Sequence, residues 1–216
     1  RLRAAGHRVV EVRAGDAFAR AGEDAYRLAP ERGREGYDRL LQDLVARGTA
    51  PSRIAHFWLA TRAERFRPGS SFFHRNLEQG FYSLLFLAQA AAEEGLPKPL
   101  HLSVVTTGAA QVRGEALPYP EKATVAGPVR VIPRELPGIT CAALDIELPA
   151  AREGLAARLR GGAEDPMERL ALRLLEDLVA PGRDHVAAWR GEKRFEARVR
   201  RMPLEPAEEG ALPLAE

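Results

Sequence analysis

The stretch Arg53-Ile54-Ala55-His56-Phe57-Trp58-Leu59 decides the fold that the sequence predicts. It is almost continuously apolar, which is typical of a parallel strand that is covered on both faces of its sheet. Similar apolar runs follow at 100–106 (Leu-His-Leu-Ser-Val-Val-Thr) and at 139–146 (Ile-Thr-Cys-Ala-Ala-Leu-Asp-Ile). Because parallel neighbours are joined by crossovers of about a dozen residues or more, we expect helices between these strands.

The segment before the first long strand combines short strands with one helix. Segments 7–12 and 24–28 are predicted as short strands, and residues 1–6 as the last turn of a helix. Segment 34–48 is predicted as a helix that ends at Gly48. Its apolar residues fall at helical spacing: Tyr37, Leu40, Leu41, Leu44 and Val45.

Further helices fill the intervals between the long strands. The longest has Ser70 or Ser71 as its N-cap. Segment 122–135 is predicted as a helix that its prolines bend or shorten, and 165–179 as an amphipathic helix with an Asp-Pro start. The apolar face predicted for the longest helix contains Phe72, Phe73, Leu77, Phe81, Leu84, Leu85 and Ala88.

A predicted β-hairpin follows at 185–201. Its strands, 185–190 and 193–201, are joined by a Gly-Glu turn, and the second strand alternates between charged and apolar residues. Phe195, Ala197 and Val199 form the apolar side of this strand. Because an apolar strand face at the end of a domain needs a cover, we predict an interface that contains these residues and Trp189.

Strands that alternate with helices predict an α/β protein. The expected fold is a truncated, Rossmann-like, doubly wound parallel sheet with a C-terminal β-hairpin. Residues 1–201 are predicted to form this domain, and residues 202–216, rich in Pro, Glu and Ala, a linker.

Composition argues against several classes of protein. The 32 Lys and Arg residues nearly balance the 30 Asp and Glu residues and are scattered, so we predict no nucleic-acid partner. Cys141 lies alone in an apolar run, which predicts a buried thiol and a cytoplasmic, reducing location. No stretch approaches the roughly 20 apolar residues of a membrane span, so we predict no membrane partner.

A dinucleotide cofactor requires a glycine-rich turn between a strand and a helix, because backbone amides must approach the pyrophosphate. The sequence contains no Gly-x-Gly-x-x-Gly, and the nearest pair, Gly15 and Gly22, lacks the strand-to-helix spacing. We therefore predict that these residues bind no cofactor.

Tyr119 and Lys122 are the nearest approach to a carbonyl-reducing pair. In that chemistry tyrosine and lysine stand one helical turn apart, as Tyr-x-x-x-Lys, so that the ammonium activates the phenol. Here only Pro120 and Glu121 separate them, and Pro118 stands where the phenol belongs. We therefore interpret Tyr119 as a solvated loop residue and Lys122 as a lysine at a helix N-terminus, neither with a catalytic role.

Other polar residues have structural interpretations. His56 has no second ligand at metal spacing and is predicted as a satisfied core or strand-end histidine. For His74 and Asn76 we favour a structural role, in which the amide bonds backbone across the sheet. Thr106, at the start of Thr-Thr-Gly, could orient a carbonyl, but without a paired phenol we interpret it as a strand-end cap. No metal site is predicted.

Several stretches together carry the pattern of a known family: 56–59 (His-Phe-Trp-Leu), 73–90, 102–112, 114–115, 118–134 and 188–195 (Ala-Trp-Arg-Gly-Glu-Lys-Arg-Phe). They resemble the ketoreductase region of modular polyketide synthases, and within it the structural subdomain. The resemblance covers nearly the whole chain.

This resemblance implies a truncated short-chain reductase fold without catalytic or cofactor residues. Such a subdomain packs against a catalytic twin that follows it and that carries a glycine-rich NADPH turn with Ser, Tyr and Lys or Asn. The implied partners are this downstream catalytic subdomain and other domains of the same synthase. By implication the chain is not an enzyme by itself, and NADPH belongs to the adjoining subdomain if that subdomain is active.

Alternatives remain open on the sequence alone. The parent ketoreductase is either active or an inactive pseudo-ketoreductase. The chain could also be a divergent NADPH-dependent reductase that uses Thr106, Tyr119 and Lys122. A docking or dimerisation module is the third possibility, on the basis of the Pro/Glu-rich tail and the charged hairpin.

Overall fold

A computed structural model describes residues 1–62, 71–149 and 165–203. The strands are β1 (Glu11–Ala14), β2 (Ala19–Gly22), β3 (Ala25–Leu28), β4 (Arg53–Leu59), β5 (Leu100–Thr106), β6 (Ile139–Ile146), β7 (His185–Arg190) and β8 (Lys193–Glu196). The α-helices are α1 (Glu35–Ala46), α2 (Phe72–Leu77), α3 (Ser83–Glu93), α4 (Ala126–Glu135) and α5 (Pro166–Val179). A π-helical turn, Glu78–Tyr82, joins α2 to α3, and a 3-10 helix, Pro120–Val125, leads into α4.

The principal sheet has five strands in the order β4-β5-β6-β7-β8. β4 to β7 are mutually parallel, and β8 returns antiparallel to β7 as the second strand of a hairpin. A separate three-stranded sheet, in the order β1-β3-β2, precedes them. The predicted truncated Rossmann-like α/β fold with a C-terminal hairpin is confirmed.

Helices cover both faces of the principal sheet. Alternate residues of β5 and β6, such as Leu102, Val104 and Cys141, belong to a core with α1, α3 and α4. Residues of opposite parity, such as Val105 and Leu144, pack with α5 on the other face. Because every residue of β5 is buried, its sequence does not alternate between apolar and polar residues as a half-exposed strand would.

Four strand predictions and one helix start agree with the structure residue by residue. β4, β5, β6 and β7 occupy the predicted segments, and Asp165 caps α5 by accepting a hydrogen bond from the Met167 amide at 3.1 Å. Ser71 caps α2 in the predicted way, with its hydroxyl accepting from the His74 amide at 3.4 Å.

Near the N-terminus, β1 starts at Glu11 and not at His7, because its register is set by β3, with Glu11 opposite Ala25. β2 was not predicted, because its four residues are all exposed and therefore show no apolar periodicity. Val45 was expected in the core but is exposed on α1.

β4 and β8 depart from the prediction because both lie at edges of the sheet. β4 was expected to be covered on both faces, yet Phe57 is 40% exposed; in the part of the chain that the structure describes, β4 pairs only with β5 and so lies at the edge of the sheet. β8 ends at Glu196 and not at Arg201. Glu196 pairs with Ala187, and only one further hydrogen bond follows, from the Ala197 amide to the Val186 carbonyl, because β7 begins at His185.

The π turn changes which residues of the long helical segment face the core. Phe73 and Leu85, predicted on the buried face, are 49% and 36% exposed, because the extra residue of the turn rotates the helix. Gly80 lies in the turn where the helix approaches the sheet. A Cβ there would stand 2.7 Å from Leu59 Cδ1 and 3.2 Å from Val125 Cγ1, so only glycine fits without displacement.

Candidate functional site

The carboxyl ends of β4 to β7 lie at one edge of the sheet, where open α/β sheets bind their ligands. In this chain the segment that follows β5 lies across that edge. The amide of Ala109 donates to the Asp145 carboxylate of β6 at 2.9 Å, and Arg190 of β7 donates to the Ala110 carbonyl at 3.0 Å. Groups of the chain itself therefore occupy the edge.

Asp145 is the buried acidic residue of this edge, with 4% of its surface exposed. Its Oδ1 accepts hydrogen bonds from Thr106 Oγ1 at 2.8 Å and from the Ala109 amide at 2.9 Å. Its Oδ2 accepts from Arg190 Nη2 at 2.7 Å. A buried acidic side chain is tolerated only with such partners, so the donors of Thr106, Ala109 and Arg190 compensate Asp145 for the hydration it loses inside the protein.

Arg190 joins three parts of the chain. Besides Asp145, its guanidinium donates through Nε to Glu115 Oε1 at 2.7 Å and through Nη1 to the Trp189 carbonyl at 3.1 Å. The hydrogen bond from Arg190 lowers the pKa of the Glu115 carboxyl. We call Asp145, Arg190 and Glu115 the ionic cluster; it ties the ends of β6 and β7 to the loop after β5.

Lys122 forms a second buried polar group near the end of β5. The residue is 0% exposed. Its ammonium donates to Thr61 Oγ1 at 2.8 Å, Thr107 Oγ1 at 3.1 Å and the Thr107 carbonyl at 3.3 Å. It also lies 4.4 Å from the centroid of the Tyr119 ring, in a cation-π contact. Lys122 lies near the start of a helix, as predicted, but its side chain is buried there.

The reason lies in the 3-10 helix that Pro120 begins. This helix turns Lys122 inward beneath the chain from 107 to 119, toward the backbone at the end of β5. In carbonyl reduction, the tyrosine and lysine both border an open cleft that admits the substrate. Here the Lys122 ammonium is enclosed, and it contacts the face of the Tyr119 ring. Among the described residues, Thr61, Thr107 and Tyr119 surround this ammonium, so the pair supports the loop.

The remaining predicted polar residues have structural positions. Thr106 donates to Asp145, as a side chain that closes the end of its strand. Asn76 is 2% exposed, but its Nδ2 finds no partner in the described part of the chain, so the expected bond from this nitrogen to backbone is not made. His74 lies exposed on the first turn of α2.

His56, on β4, is buried against α3, as the sequence predicted, but its Nδ1 has no partner among the described residues, so the expected satisfaction of the ring is not complete. Its Nε2 lies 2.9 Å from Ser83 Oγ, and its ring makes an edge contact with Trp58 at 5.3 Å between centroids. Burial lowers the pKa of His56 to about 4, because the imidazolium would lose its hydration inside the core. His56 is therefore neutral at physiological pH.

This burial predicts acid sensitivity. The unfolded chain binds a proton at His56 near pH 6.5 and the folded chain only near pH 4, so stability is complete above pH 6.5 and falls as the pH decreases. We expect His56 to contribute a loss of about 2 kcal/mol in the free energy of unfolding between pH 7 and pH 5. Urea unfolding followed by circular dichroism at the two pH values measures it.

Two variants serve as controls for this prediction. His56→Gln should lower the free energy of unfolding at both pH values, but this free energy should no longer fall between pH 7 and pH 5. His74→Gln, at an exposed position, should show the same decrease with pH as the parent protein. An equal pH dependence in His56→Gln and in the parent protein would contradict the prediction.

The four residues predicted as an interface do not share one face. Trp189 lies on the side covered by α5, and its Nε1 donates to Asp177 Oδ2 at 2.6 Å. Phe195 pairs with Ala188 on the opposite side, where the Arg113 guanidinium lies 4.7 Å above its ring. Ala197 and Val199 follow the end of β8 and are exposed. Whether these residues contact a partner stays a prediction.

The remaining predictions concern a cofactor turn, metal sites, membrane spans and the single cysteine. Strand β2, and not a helix, follows β1 and Gly15, so the described residues place no helix N-terminus after that turn. In residues 1–62, 71–149 and 165–203, no cluster of His, Cys, Asp or Glu has metal-binding geometry, and no helix could span a membrane. Cys141 is buried as predicted, which raises the pKa of its thiol to about 12.

A family assignment rests on the sequence profile of the beta-ketoacyl synthase-like N-terminal domain, which matches residues 2–155. The chain belongs to this family. The match confirms the predicted resemblance to the structural subdomain of ketoreductases. No curated protein matches this member of the family in sequence.

Solved structures share the fold of this beta-ketoacyl synthase-like N-terminal domain. One is an adenylation, ketoreductase and pseudo-Asub multidomain structure of a keto acid-selecting NRPS module, with 25% identity and a TM-score of 0.64. A second is an N-terminal ketoreductase from the macrolactin assembly line, with 18% identity and a TM-score of 0.59. A third is a short-chain dehydrogenase from Mycobacterium avium, with 16% identity and a TM-score of 0.55.

The alignments cover this domain almost completely but only part of the longer structures. They include 88% of this chain and 15% of the NRPS module, and 89% of this chain and 35% of the macrolactin ketoreductase. The alignment with the Mycobacterium avium dehydrogenase covers 89% of this chain and 70% of that enzyme. At 18% and 16% identity, the latter two structures show a shared fold alone.

Proposed function

We propose that this chain is a non-catalytic scaffold subdomain of a polyketide synthase. In this role it stabilises an adjoining NADPH-dependent ketoreductase subdomain or, beside an inactive one, serves as a pseudo-ketoreductase. The observation that carries the proposal is that the ionic cluster and Lys122 occupy the edge of the sheet where a reductase would bind its ligands.

The energetics of the ionic cluster argue against a ligand at this edge. A cofactor would have to displace Arg190 from Asp145, a buried pair at 2.7 Å in which only 4% of the acidic side chain is exposed. Breaking such a pair costs about 3–5 kcal/mol, which is a large part of the stability of an ordinary domain. The cluster therefore favours a closed, structural edge.

The partner proposed for this scaffold is the catalytic subdomain of the same ketoreductase. The macrolactin structure, of which this chain matches 35%, is described as a ketoreductase and so supports a larger reductase assembly. Contact through the end of the hairpin remains our proposal. Phe195 is half-buried, and Val199 is fully exposed within this chain, so a partner has access to both.

Cofactor titration tests the non-catalytic role. We expect the isolated chain to give no saturable change in NADPH fluorescence. Saturable binding in the micromolar range would contradict the proposal and would favour a divergent reductase that acts by itself.

Separate expression of the two subdomains tests the scaffold role. We expect Val199→Asp to leave the fold unchanged by circular dichroism, because the side chain is exposed, and to reduce co-purification with the catalytic subdomain. Val45→Asp on α1, at another exposed valine, is the matched control and should co-purify normally. Unchanged co-purification of Val199→Asp would remove the hairpin from the interface. Concentration-dependent sedimentation of the chain alone would instead favour a dimerisation module.

A further inference from the structure

β8 forms an outer edge of the principal sheet. It pairs with β7 on one side, and no described strand pairs with its other side. The last hydrogen bond of this hairpin is donated by the Ala197 amide to the Val186 carbonyl at 2.8 Å. An edge strand of this kind carries backbone donors and acceptors that another extended segment can use.

Basic side chains without ion pairs stand at both ends of β8. Arg113 and Lys193 lie at the end near the turn of the hairpin, and Arg198, Arg200 and Arg201 follow the other end. Within the described part of the chain, none of these five has an acidic partner. Because the whole chain carries a net charge of only +2, five uncompensated cations on and around β8 are a local excess of positive charge.

The acidic residues nearest to β8 are already engaged. Glu196 pairs with Arg183 at 3.3 Å and Arg194 at 3.4 Å, and Asp177 pairs with Arg194 at 3.0 Å. Glu192, next to Lys193, is also engaged, since it pairs with Arg173 at 3.1 Å. Every acid of the described hairpin therefore already has a basic partner, and charge complementarity favours an acidic segment from outside it.

Arg113 is held in place before any partner arrives. It has a φ of 54°, and with Gly114, at 77°, it forms a tight turn that the Glu115 amide closes on the Val112 carbonyl at 3.2 Å. Its guanidinium stacks on Phe195. Few residues other than glycine adopt this backbone conformation, so its presence at an arginine is consistent with a functional position.

A pocket of about 430 Å³ opens beside this arginine. Arg113, Lys193 and Phe195 line it together with Arg190 and Glu115 of the ionic cluster. Arg190 shares its single positive charge between Glu115 and Asp145, so Arg113 and Lys193 are needed to make the surroundings of the pocket positive. The pocket therefore suits a carboxylate.

We propose that an extended acidic segment of a partner polypeptide adds to β8 as a further strand. Its backbone pairs with the open edge of β8, one carboxylate enters the pocket at Arg113 and Lys193, and others meet Arg198, Arg200 and Arg201. Backbone pairing requires a polypeptide, so this surface favours an acidic protein segment over a nucleic acid. The inference goes beyond the scaffold role and does not depend on a ketoreductase activity.

The test uses the full chain and a fluorescein-labelled peptide of alternating Glu and Val. We expect saturable binding by fluorescence polarisation, which weakens with salt and is lost when alternate peptide nitrogens are methylated, because methylation blocks strand pairing. Arg113→Glu/Lys193→Glu should weaken binding by about tenfold or more. Arg130→Glu/Arg134→Glu, the same charge change at exposed positions on α4, should change it less than about twofold.

Several results would overturn this inference. Equal weakening in the two double variants, or equal binding of the methylated peptide, would mean general charge attraction. Tighter binding of a single-stranded oligonucleotide, lost in Arg113→Glu/Lys193→Glu, would assign the surface to nucleic acid. If the charge-reversed protein fails to fold by circular dichroism, Arg113→Ala/Lys193→Ala replaces it, and undiminished binding there rejects the proposal. None of these results bears on NADPH titration or on Val199→Asp, which test the scaffold role separately.

Discussion

Replacing Arg190 with methionine is expected to lower the free energy of unfolding by about 3–5 kcal/mol. The substitution removes the cation and leaves Asp145 as a carboxylate that is 4% exposed and has lost its ion-pair partner. Thr106 and the Ala109 amide still donate to Asp145, but hydrogen bonds alone compensate a buried charge only in part. Urea unfolding at pH 7 measures the loss.

A double-mutant cycle separates the buried charge from lost packing. Arg190→Met/Asp145→Leu removes both charges and should recover most of the stability lost in Arg190→Met, because apolar pairs often replace buried ion pairs at little cost. Glu115→Gln is the matched control at the exposed end of the cluster. Because 35% of the Glu115 side chain is exposed, that change should cost about 1 kcal/mol or less. An Arg190→Met loss below about 1 kcal/mol would show that the cluster does not hold the sheet edge closed.

Lys122→Ala is expected to lower the free energy of unfolding by about 3 kcal/mol. The change removes a side chain that is 0% exposed, leaves a cavity, and deprives Thr107 of a donor to its carbonyl and to its hydroxyl. Chemical denaturation measures this loss. The matched control is Lys193→Ala, on the exposed turn of the hairpin, which should change stability by less than about 0.5 kcal/mol.

The same variant distinguishes support from catalysis. In an intact synthase with an active ketoreductase, Lys122→Ala should lower the yield of folded protein, while activity per folded molecule stays within about twofold. A fall of two or more orders of magnitude in activity per folded molecule, at unchanged stability, would make Lys122 catalytic and would revive the reductase alternative.

These expectations share one physical basis. Active sites keep polar groups exposed or strained, because those groups must bind substrate, and such sites generally reduce stability. At the carboxyl edge of this sheet, Asp145 and Lys122 are instead bonded to other groups of the same chain. Because these polar groups already bond within the chain, they stabilise the domain and are not available to bind a ligand. This arrangement suits a scaffold subdomain.

Local sequence is informative wherever burial is uniform along an element. β5 is buried at every position and β6 at most of them, so their apolar runs predicted the strand bounds residue by residue. The start of α5 was also predicted correctly, because an Asp-Pro pair caps a helix through contacts within the first turn of that helix. The π turn was not predicted, because the insertion depends on how Gly80 meets Leu59 across the core.

The candidate site was predicted less well than the fold. The sequence showed that Tyr119 and Lys122 lack the spacing of a reductase pair and placed Lys122 near the start of a helix, but it did not predict that the ammonium is buried. No local pattern marks a lysine whose acceptors, Thr61 and Thr107, lie 61 and 15 residues away. The ionic cluster was missed for the same reason, since 45 residues separate Asp145 from Arg190.

By itself, then, the sequence determined the alternation of strands and helices and the absence of a glycine-rich phosphate turn and of a Tyr-x-x-x-Lys pair in these residues. The sequence can show these properties because each depends on residues that are close together along the chain: the spacing of apolar residues within an element, or a short motif. Only the tertiary structure decided that Arg190 and Lys122 close the carboxyl edge and that unpaired cations stand at both ends of β8. Burial and ion pairing are set by groups that the fold brings together from distant parts of the chain, and strand pairing determines which edge is left open.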